Sequence, residues 1–546
     1  MRRKNIEGII IYLLNILVVF FIGIGVLPVE ANLFLAGILV FYFLFAPLVR
    51  CIYLFVCLIP LFIALPITEN FDCMSIWRIL LIILFLRSLF TSHHGYQGMA
   101  RDKAMVRGLR IALEKIRKEI KSPIFISVLI FLFIGVISII FASFPIAGVK
   151  KLLYFINIFM LYFVIKWNII LKSRFLNVLK SIVFCSGIIT FIGFSQFISV
   201  FFIPLYTFWQ FWAKNIIPIF YGKALSSLLS YSNTWFSYYE NASPTLRIFS
   251  VFPDSHSFGL FLILSIPALI SLMSYYKNSG RKKLIIYNLL LAITLLGIIL
   301  SGSRGIWISV LVPLTISLIC ANSSLISRIV SWLRINVGVI RAKLANINEI
   351  KPPRILLASF IIFLLLFPVS SLLLSLSQKA QGRSLDSSSD LVFERAKTIT
   401  DFSEISAKSR LEILSSTIDS VLKHPLFGVG LGNYPVVLKE DISAAKKGAS
   451  AHNLYLDICA EMGIFALFVL IFIFYLILKK LWTIYYKENS YTIYGIFAIS
   501  FIFYFIWVLA YNLFDVVLLN DKVFLLFVII LGLVDSYNWE ESEYKN

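Results

Sequence analysis

Fourteen apolar runs, most of them close to the length that crosses a bilayer, constrain this chain more than any other feature. They lie near 9–27, 33–49, 51–67, 76–91, 124–142, 152–171, 181–203, 257–276, 284–301, 306–320, 355–376, 454–478, 491–511 and 523–535. A helix needs around 20 predominantly apolar residues to span about 30 Å of hydrocarbon. The runs 33–49 and 51–67 are separated only by Arg50, and 306–320 and 523–535 are short for a span. Composition points the same way: 60% of the residues are hydrophobic, 51 are Phe and only 14% are charged, whereas soluble domains are about 45–50% apolar and about 25% charged. The expected fold is an all-α polytopic membrane protein, a single integral membrane domain over 1–546 with about 12–14 transmembrane helices.

Lys and Arg collect in cytoplasmic loops, so their distribution orients the chain. Segment 92–122 holds Arg101, Lys103, Arg107, Arg110, Lys115, Arg117, Lys118 and Lys121, and 172–180, 277–283 and 321–354 are also basic. With Arg2-Arg3-Lys4 they fall on one side, so both termini are expected in the cytoplasm and 204–256 and 377–453 outside. The long outer segment agrees, carrying ten Lys/Arg against nine Asp/Glu. The net charge of +21 then reads as an orientation signal, and no nucleic-acid partner is expected. Cys51, Cys57, Cys73, Cys185, Cys320 and Cys459 lie mostly in apolar runs without C-x-x-C spacing and read as small buried hydrophobes. His93-His94 has no further ligands nearby, so no metal site is expected there. The first apolar run lacks a small-residue cleavage site and is expected to be retained as a helix.

Two outward elaborations interrupt the apolar pattern. Segment 204–256 is dense in aromatics, among them Tyr206, Phe208, Trp209, Phe211, Trp212, Tyr221, Trp235, Tyr238 and Tyr239; these suit an interfacial belt, stacking on sugar rings or a lipid-chain entrance. Segment 377–453 begins with a Ser-rich flexible lead at 377–389. Within it, Ser409 and Glu412 form a capping-box pattern, and Leu411, Leu414, Ile418, Val421 and Leu422 then recur on one face up to Pro425. Such a helix would lie on the membrane surface or cover the outer ends of the bundle, with Arg410 in its first turn.

A cation in a first helical turn opposes the macrodipole at a cost of about 0.3–1 kcal/mol, unless an anion sits there between guanidinium and helix N–H groups. Arg304 in Ser301-Gly302-Ser303-Arg304-Gly305 stands in a similar place, with Ser303 available as N-cap. Taken singly, Arg304 also fits a snorkelling interfacial arginine and Arg410 a solvated helix end. Arg247 precedes a third outer helix start, where Asp254 or Ser255 can cap, and His452-Asn453 opens a fourth. His452 fits a general base, its ordinary pKa being near neutrality, although a lone histidine at a helix start is more often only a cap or interfacial polar group. Asp457 and Glu461 lie further in, where an ionisable group needs a partner; Glu461 is expected to face Arg304 or His452. Gly428-Val429-Gly430-Leu431-Gly432 lacks G-x-G-x-x-G spacing and reads as close packing against a helix, not a nucleotide loop.

Together these residues resemble the O-antigen ligase and polymerase superfamily of bacterial membrane glycosyltransferases. The resemblance rests on Ser301-Gly302-Ser303-Arg304-Gly305, on Arg410 with His424-Pro425-Leu426-Phe427-Gly428-Val429-Gly430-Leu431-Gly432-Asn433, and on His452-Asn453-Leu454-Tyr455 through Glu461-Met462-Gly463, within a core region of 240–480. It implies a bundle like that of the GT-C membrane glycosyltransferases with a large helical outer loop. The implied activity is transfer of a glycan from an undecaprenyl diphosphate carrier to an acceptor hydroxyl, on a lipid A core or another surface acceptor, without metal or other cofactor and with inversion. Arg304 and Arg410, with Arg247, would bind the diphosphate and His452 would serve the acceptor; Ser303, Asn453 and Glu461 would support them. His256 stands where the family pattern leads one to expect Asn. A repeat-unit polymerase uses the same donor. A transporter or flippase of lipid-linked sugars fits less well, since transporters often show repeated halves and midplane sites and this chain shows no repeat.

Overall fold

A computed structural model describes residues 6–67, 74–91, 101–229, 234–238, 243–277, 280–321, 354–382, 405–439, 450–488 and 492–537. Arg2-Arg3-Lys4, Cys73, His93-His94, Tyr239, most of the basic segment 321–354 and residues 383–389 of the Ser-rich lead lie outside the described residues.

The helices in chain order are α1 (Ile6–Gly23), α2 (Ala31–Phe45), α3 (Leu48–Leu58), α4 (Trp77–Phe90), α5 (Arg101–Glu119), α6 (Pro123–Ile140), α7 (Pro145–Asn168), α8 (Lys172–Ser199), α9 (Leu205–Phe211), α10 (Ile217–Leu229) and α11 (Ser255–Tyr275). They continue with α12 (Arg281–Leu300), α13 (Arg304–Ser309), α14 (Leu311–Ala321), α15 (Arg354–Leu365), α16 (Phe367–Ala380), α17 (Ile405–Lys423), α18 (Tyr434–Val437), α19 (Leu454–Met462), α20 (Ile464–Glu488), α21 (Ile493–Tyr511) and α22 (Asp521–Asp535). Each of the fourteen apolar runs is helical over most of its length. Among the described residues nine helices are long and apolar enough to cross a membrane, and Ala31–Phe45, Leu48–Leu61 and Arg304–Cys320 are shorter apolar helices. The chain is an all-α polytopic membrane protein.

At the centre stands α11, 94% buried over its apolar window, as expected of a helix that is hydrophobic on every side. It packs on α8, α12, α21 and α22. Its start is fixed by Asp254, whose Oδ1 accepts the Ser257 N–H at 2.6 Å, a side-chain cap of the kind that contributes about 1 kcal/mol.

Three expected elements differ. The run 454–478 is not one helix: it breaks at Gly463, whose φ of +85° is in the left-handed region that favours glycine. A Cβ there would lie 1.9 Å from the Leu426 carbonyl oxygen, because the loop after α17 enters the break. Val429 and Gly430 donate to the Ala460 and Glu461 carbonyls at 2.8 and 3.0 Å, and Ile464 donates to Pro425 at 2.9 Å, so the carbonyls freed at the helix end are satisfied. Gly428, Gly430 and Gly432 all have positive φ, and a Cβ on each would overlap Ala460, Ala142 and Ala147. The glycine run is thus a packing device, as its spacing suggests.

Second, α17 already runs from Ile405, so Ser409 is an interior helix position and not the N-cap, and Arg410 is beyond the first turn. The residues 405–408 are ordinary helix formers, and nothing stops the helix from extending through them. Its protein-facing side is partly polar: Thr417 and Ser420 are buried, with Thr417 Oγ1 and Tyr434 Oη 2.6 Å apart. Leu411, Ile418 and Leu422 are 48%, 43% and 73% exposed, whereas Leu414 and Val421 are half-buried and Val421 packs on the cluster of Tyr434, Ala451 and Ala460, so only part of the apolar stripe faces away from the bundle.

Third, much of the aromatic segment is interior. Trp235 is fully buried, stacks on Phe249 at 4.5 Å and donates its indole N–H to the Pro253 carbonyl at 2.9 Å. Tyr221 Oη donates to the Val251 carbonyl at 3.2 Å. These rings support the 247–254 turn from beneath, which accounts for them better than a belt does, while Tyr206 and Tyr238 remain 66% and 61% exposed.

Candidate active site

The site is assembled around the end of α21. Three segments that enter the bundle meet it through specific bonds. Ser303, the residue before α13, places its Oγ 3.2 Å from Tyr511 Oη. Leu454 N–H, opening α19, donates to the Asn512 carbonyl at 2.8 Å. His256, in the first turn of α11, sets its Nδ1 2.6 Å from Asp515 Oδ2. Arg247, Ser303, Arg304 and His452 are thereby brought to one region.

The two arginines on the α11–α13 side are set by a glycine. Gly302 has φ +67°, and a Cβ on it would lie 3.2 Å from Cγ and 3.3 Å from Cδ of Arg247. Arg247 lies across Gly302, two residues from Arg304, and its Nε donates to Ser237 Oγ at 3.1 Å. Ser237 belongs to β1 (Phe236–Ser237), which pairs antiparallel with β2 (Thr245–Leu246), Phe236 opposite Leu246. Gly305 packs directly on the Tyr511 and Phe514 rings, which holds the backbone on both sides of half-buried Arg304.

The 247–254 turn is strained at Ser250, φ +52°. The Gln196 carboxamide holds it from both sides, accepting the Ser250 N–H at 2.7 Å and donating to its carbonyl at 2.9 Å. Lys522, 1% exposed, donates to the Val251 and Pro60 carbonyls at 3.0 and 2.9 Å and lies over the Phe220 and Tyr221 rings. A buried ammonium needs such partners. Nothing near Lys522 in the sequence announces them.

His452 is likewise held in an unusual backbone conformation, φ +49°, which is uncommon for a residue with a side chain. Asn453 fixes one flank by accepting the Tyr455 and Leu456 N–H groups at 3.0 and 3.2 Å, so the helix is capped by Asn453 and not by His452. Asp457 fixes the other by accepting the Ala451 N–H at 3.1 Å. The His452 Nδ1 is buried without a hydrogen-bond partner among the described residues.

Burial, more than charge, favours the neutral form of His452. Burial pushes its pKa below the ordinary imidazole value; the Asp515 carboxylate opposes this, and Arg410 and His256 add to it. Arg410, exposed on α17, is thus close enough to act on His452 although it does not begin its helix. Burial works to raise the Asp515 carboxyl, but the hydrogen bond and charge of His256 prevail and hold it at about 2. Asp254 goes the other way, raised by burial against the opposing effects of His256 and Ser257. A neutral imidazole beside a permanent carboxylate can accept a proton and be stabilised as it does so.

Glu461 is not at this site. Its Oε2 pairs with Lys151 Nζ of α7 at 2.5 Å, so its partner is neither Arg304 nor His452. Lys151 reaches it from α7, one turn beyond the point where Gly148 meets the Leu431 carbonyl. Conversely, Tyr511 and Asp515 were not legible as site residues, and His256 was legible only as a departure from a pattern. Among the described residues no group of three or more His, Cys, Asp or Glu could hold a metal ion.

One prediction follows from the charges. The acid limb of kcat/KM, which reports the free enzyme, is expected below the ordinary histidine value of about 6.5. Asp515→Asn should move it lower still, since the carboxylate is the group that favours the imidazolium. A pH profile of turnover for both proteins checks this; a limb that moves upward in the variant would exclude His452 as its source.

Residues 289–471 match the family model described as O-Antigen ligase. The match takes in Arg304, Arg410 and His452, while Arg247, His256, Tyr511 and Asp515 lie outside it. No curated protein matches the chain.

Proposed function

We propose that this chain, whose residues 289–471 match the O-antigen ligase family model, transfers a glycan from undecaprenyl diphosphate to an acceptor hydroxyl at the outer face of the bacterial cytoplasmic membrane. The observation that carries this reading is the assembly of Arg247 and Arg304, joined across Gly302, with a neutral His452 that has a ring nitrogen unpartnered among the described residues and feels the charge of Arg410. The acceptor hydroxyl gives its proton to His452 and its oxygen attacks the anomeric carbon. The bond from that carbon to the diphosphate oxygen breaks, and the electron pair leaves with the lipid diphosphate, held by the guanidiniums. Attack opposite the leaving group inverts the anomeric centre. Fixed cations aimed at charge that develops in the transition state are commonly the largest catalytic contribution, and this scheme assigns no step to a metal.

The ligase form of the reaction is favoured by the outward apolar stripe of α17, Leu411, Ile418 and Leu422, on the helix that carries Arg410; it suits an acceptor with a lipid part. The deciding experiment is a deletion strain whose surface glycan is resolved by length. Loss of all attached glycan supports ligation; survival of a single repeat unit replaces it with polymerisation. Transfer by the purified protein in EDTA tests metal independence.

The orientation rests on charge and geometry together. The site lies at the start of α11, and Lys277, Arg281, Lys282 and Lys283 follow its other end, about 31 Å away for a helix of 21 residues. Both termini are then cytoplasmic and the site external. In single-cysteine proteins, Lys423→Cys should react with an impermeant maleimide in intact cells and Arg110→Cys, whose side chain is 81% exposed, only after permeabilisation. Labelling of position 110 from outside would reverse the topology.

A further inference from the structure

At the end of the bundle opposite the site, α8 and α12 leave a groove of about 430 Å³ lined by Lys180, Phe184, Gly187, Leu272, Tyr287 and Leu290. That volume is in the range of small-molecule sites, and its lining is apolar except at the Lys180 end. Gly187 keeps it open: a Cβ there would meet only Leu290, at 3.8 Å. At the polar end Tyr276 and Tyr287 stack at 6.0 Å, and two ammonium groups from different helices converge on one ring, Lys180 at 5.9 Å and Lys283 at 4.9 Å from the Tyr276 centroid. Lys172 lies over the adjacent Tyr275 at 6.0 Å. Lys180 reaches only the Asn177 carboxamide at 3.5 Å, and neither Lys180 nor Lys283 meets a carboxylate among the described residues.

Like charges gathered on one ring repel unless an anion lies between them. An apolar slot continuing from them into the bundle specifies what that anion carries. We propose that the groove binds one anionic phospholipid of the cytoplasmic leaflet, its phosphate between Lys180 and Lys283 and one acyl chain along Gly187. Basic pockets between membrane helices on the cytoplasmic side bind acidic head groups in this way, at about 1 kcal/mol per lysine. The assignment is independent of the transfer reaction, since the groove and the diphosphate-binding arginines lie at opposite ends of α11.

The full-length protein is reconstituted in nanodiscs of phosphatidylcholine containing a minor share of phosphatidylglycerol, and retained lipid is counted by native mass spectrometry. Wild type should retain phosphatidylglycerol above its share of the bilayer. Each of Lys180→Gln and Lys283→Gln, both at exposed side chains, should lower that retention about fivefold, the equivalent of about 1 kcal/mol. Gly187→Leu, which fills the slot and leaves the lysines in place, should abolish it. Equal retention in the glutamine variants, or of phosphatidylcholine and phosphatidylglycerol in the wild type, overturns the head-group assignment. Normal retention by Gly187→Leu overturns the groove. Displacement of the lipid by millimolar inorganic phosphate would show a free phosphate site instead.

Discussion

Arg304→Lys is expected to fold and insert normally and to transfer glycan about 100-fold more slowly, the loss expected for one preorganised donor aimed at a developing anion. Lysine retains the charge but not the planar fork that meets two phosphate oxygens together. The backbone around this position is set by others: Ser303 reaches Tyr511, and Gly305 lies against the Tyr511 and Phe514 rings, so the substitution should leave the local fold in place. Transfer by purified variant and wild type, with melting curves for both, reads the effect. A variant that is stable and fully active would make Arg304 an interfacial anchor only.

His452→Ala and Arg410→Ala are expected to separate binding from turnover. Loss of a general base costs about 10²–10⁴-fold in rate, and the proton of the acceptor is not in play when the donor docks. His452→Ala should therefore bind donor almost normally and transfer slowly. Arg410→Ala should weaken donor binding, and by removing a charge that disfavours the imidazolium it should also raise the acid limb of the pH profile. The proximity of Arg410 to His452 makes that second effect a stringent check. Donor affinity measured without acceptor, beside single-turnover transfer, distinguishes the two roles; equal loss of donor affinity in both variants would mean that the residues act as one site.

What could be read from the chain alone was whatever is encoded locally. The apolar runs and the Lys/Arg asymmetry set the class and the expected orientation, because crossing hydrocarbon imposes its demands on each segment separately. Asp254 could be read, with Ser255, as a candidate cap because a cap acts on residues two or three positions away. The glycine run could be read as packing for a similar reason, since its spacing excluded a phosphate loop. Arg304, Arg410 and His452 were found through short motifs.

The folded bundle decided the pairings. His256 and Asp515 are 259 residues apart, and Lys151 and Glu461 are 310 apart. Helices such as α11 and α21 are apolar on every side, so they carry little amphipathic signal to say which face turns inward or which neighbour it meets. The break at Gly463 is filled by a loop that arrives from residues 424–433. Arg410 shows the limit in small form: its motif identified it, but the helix begins at least five residues earlier than the capping pattern suggests. Its place beside His452 comes from the way α17 packs on α19. The local chemistry was therefore available from the sequence, while the electrostatic partners that would make His452 a base at neutral pH come from packing across the whole chain.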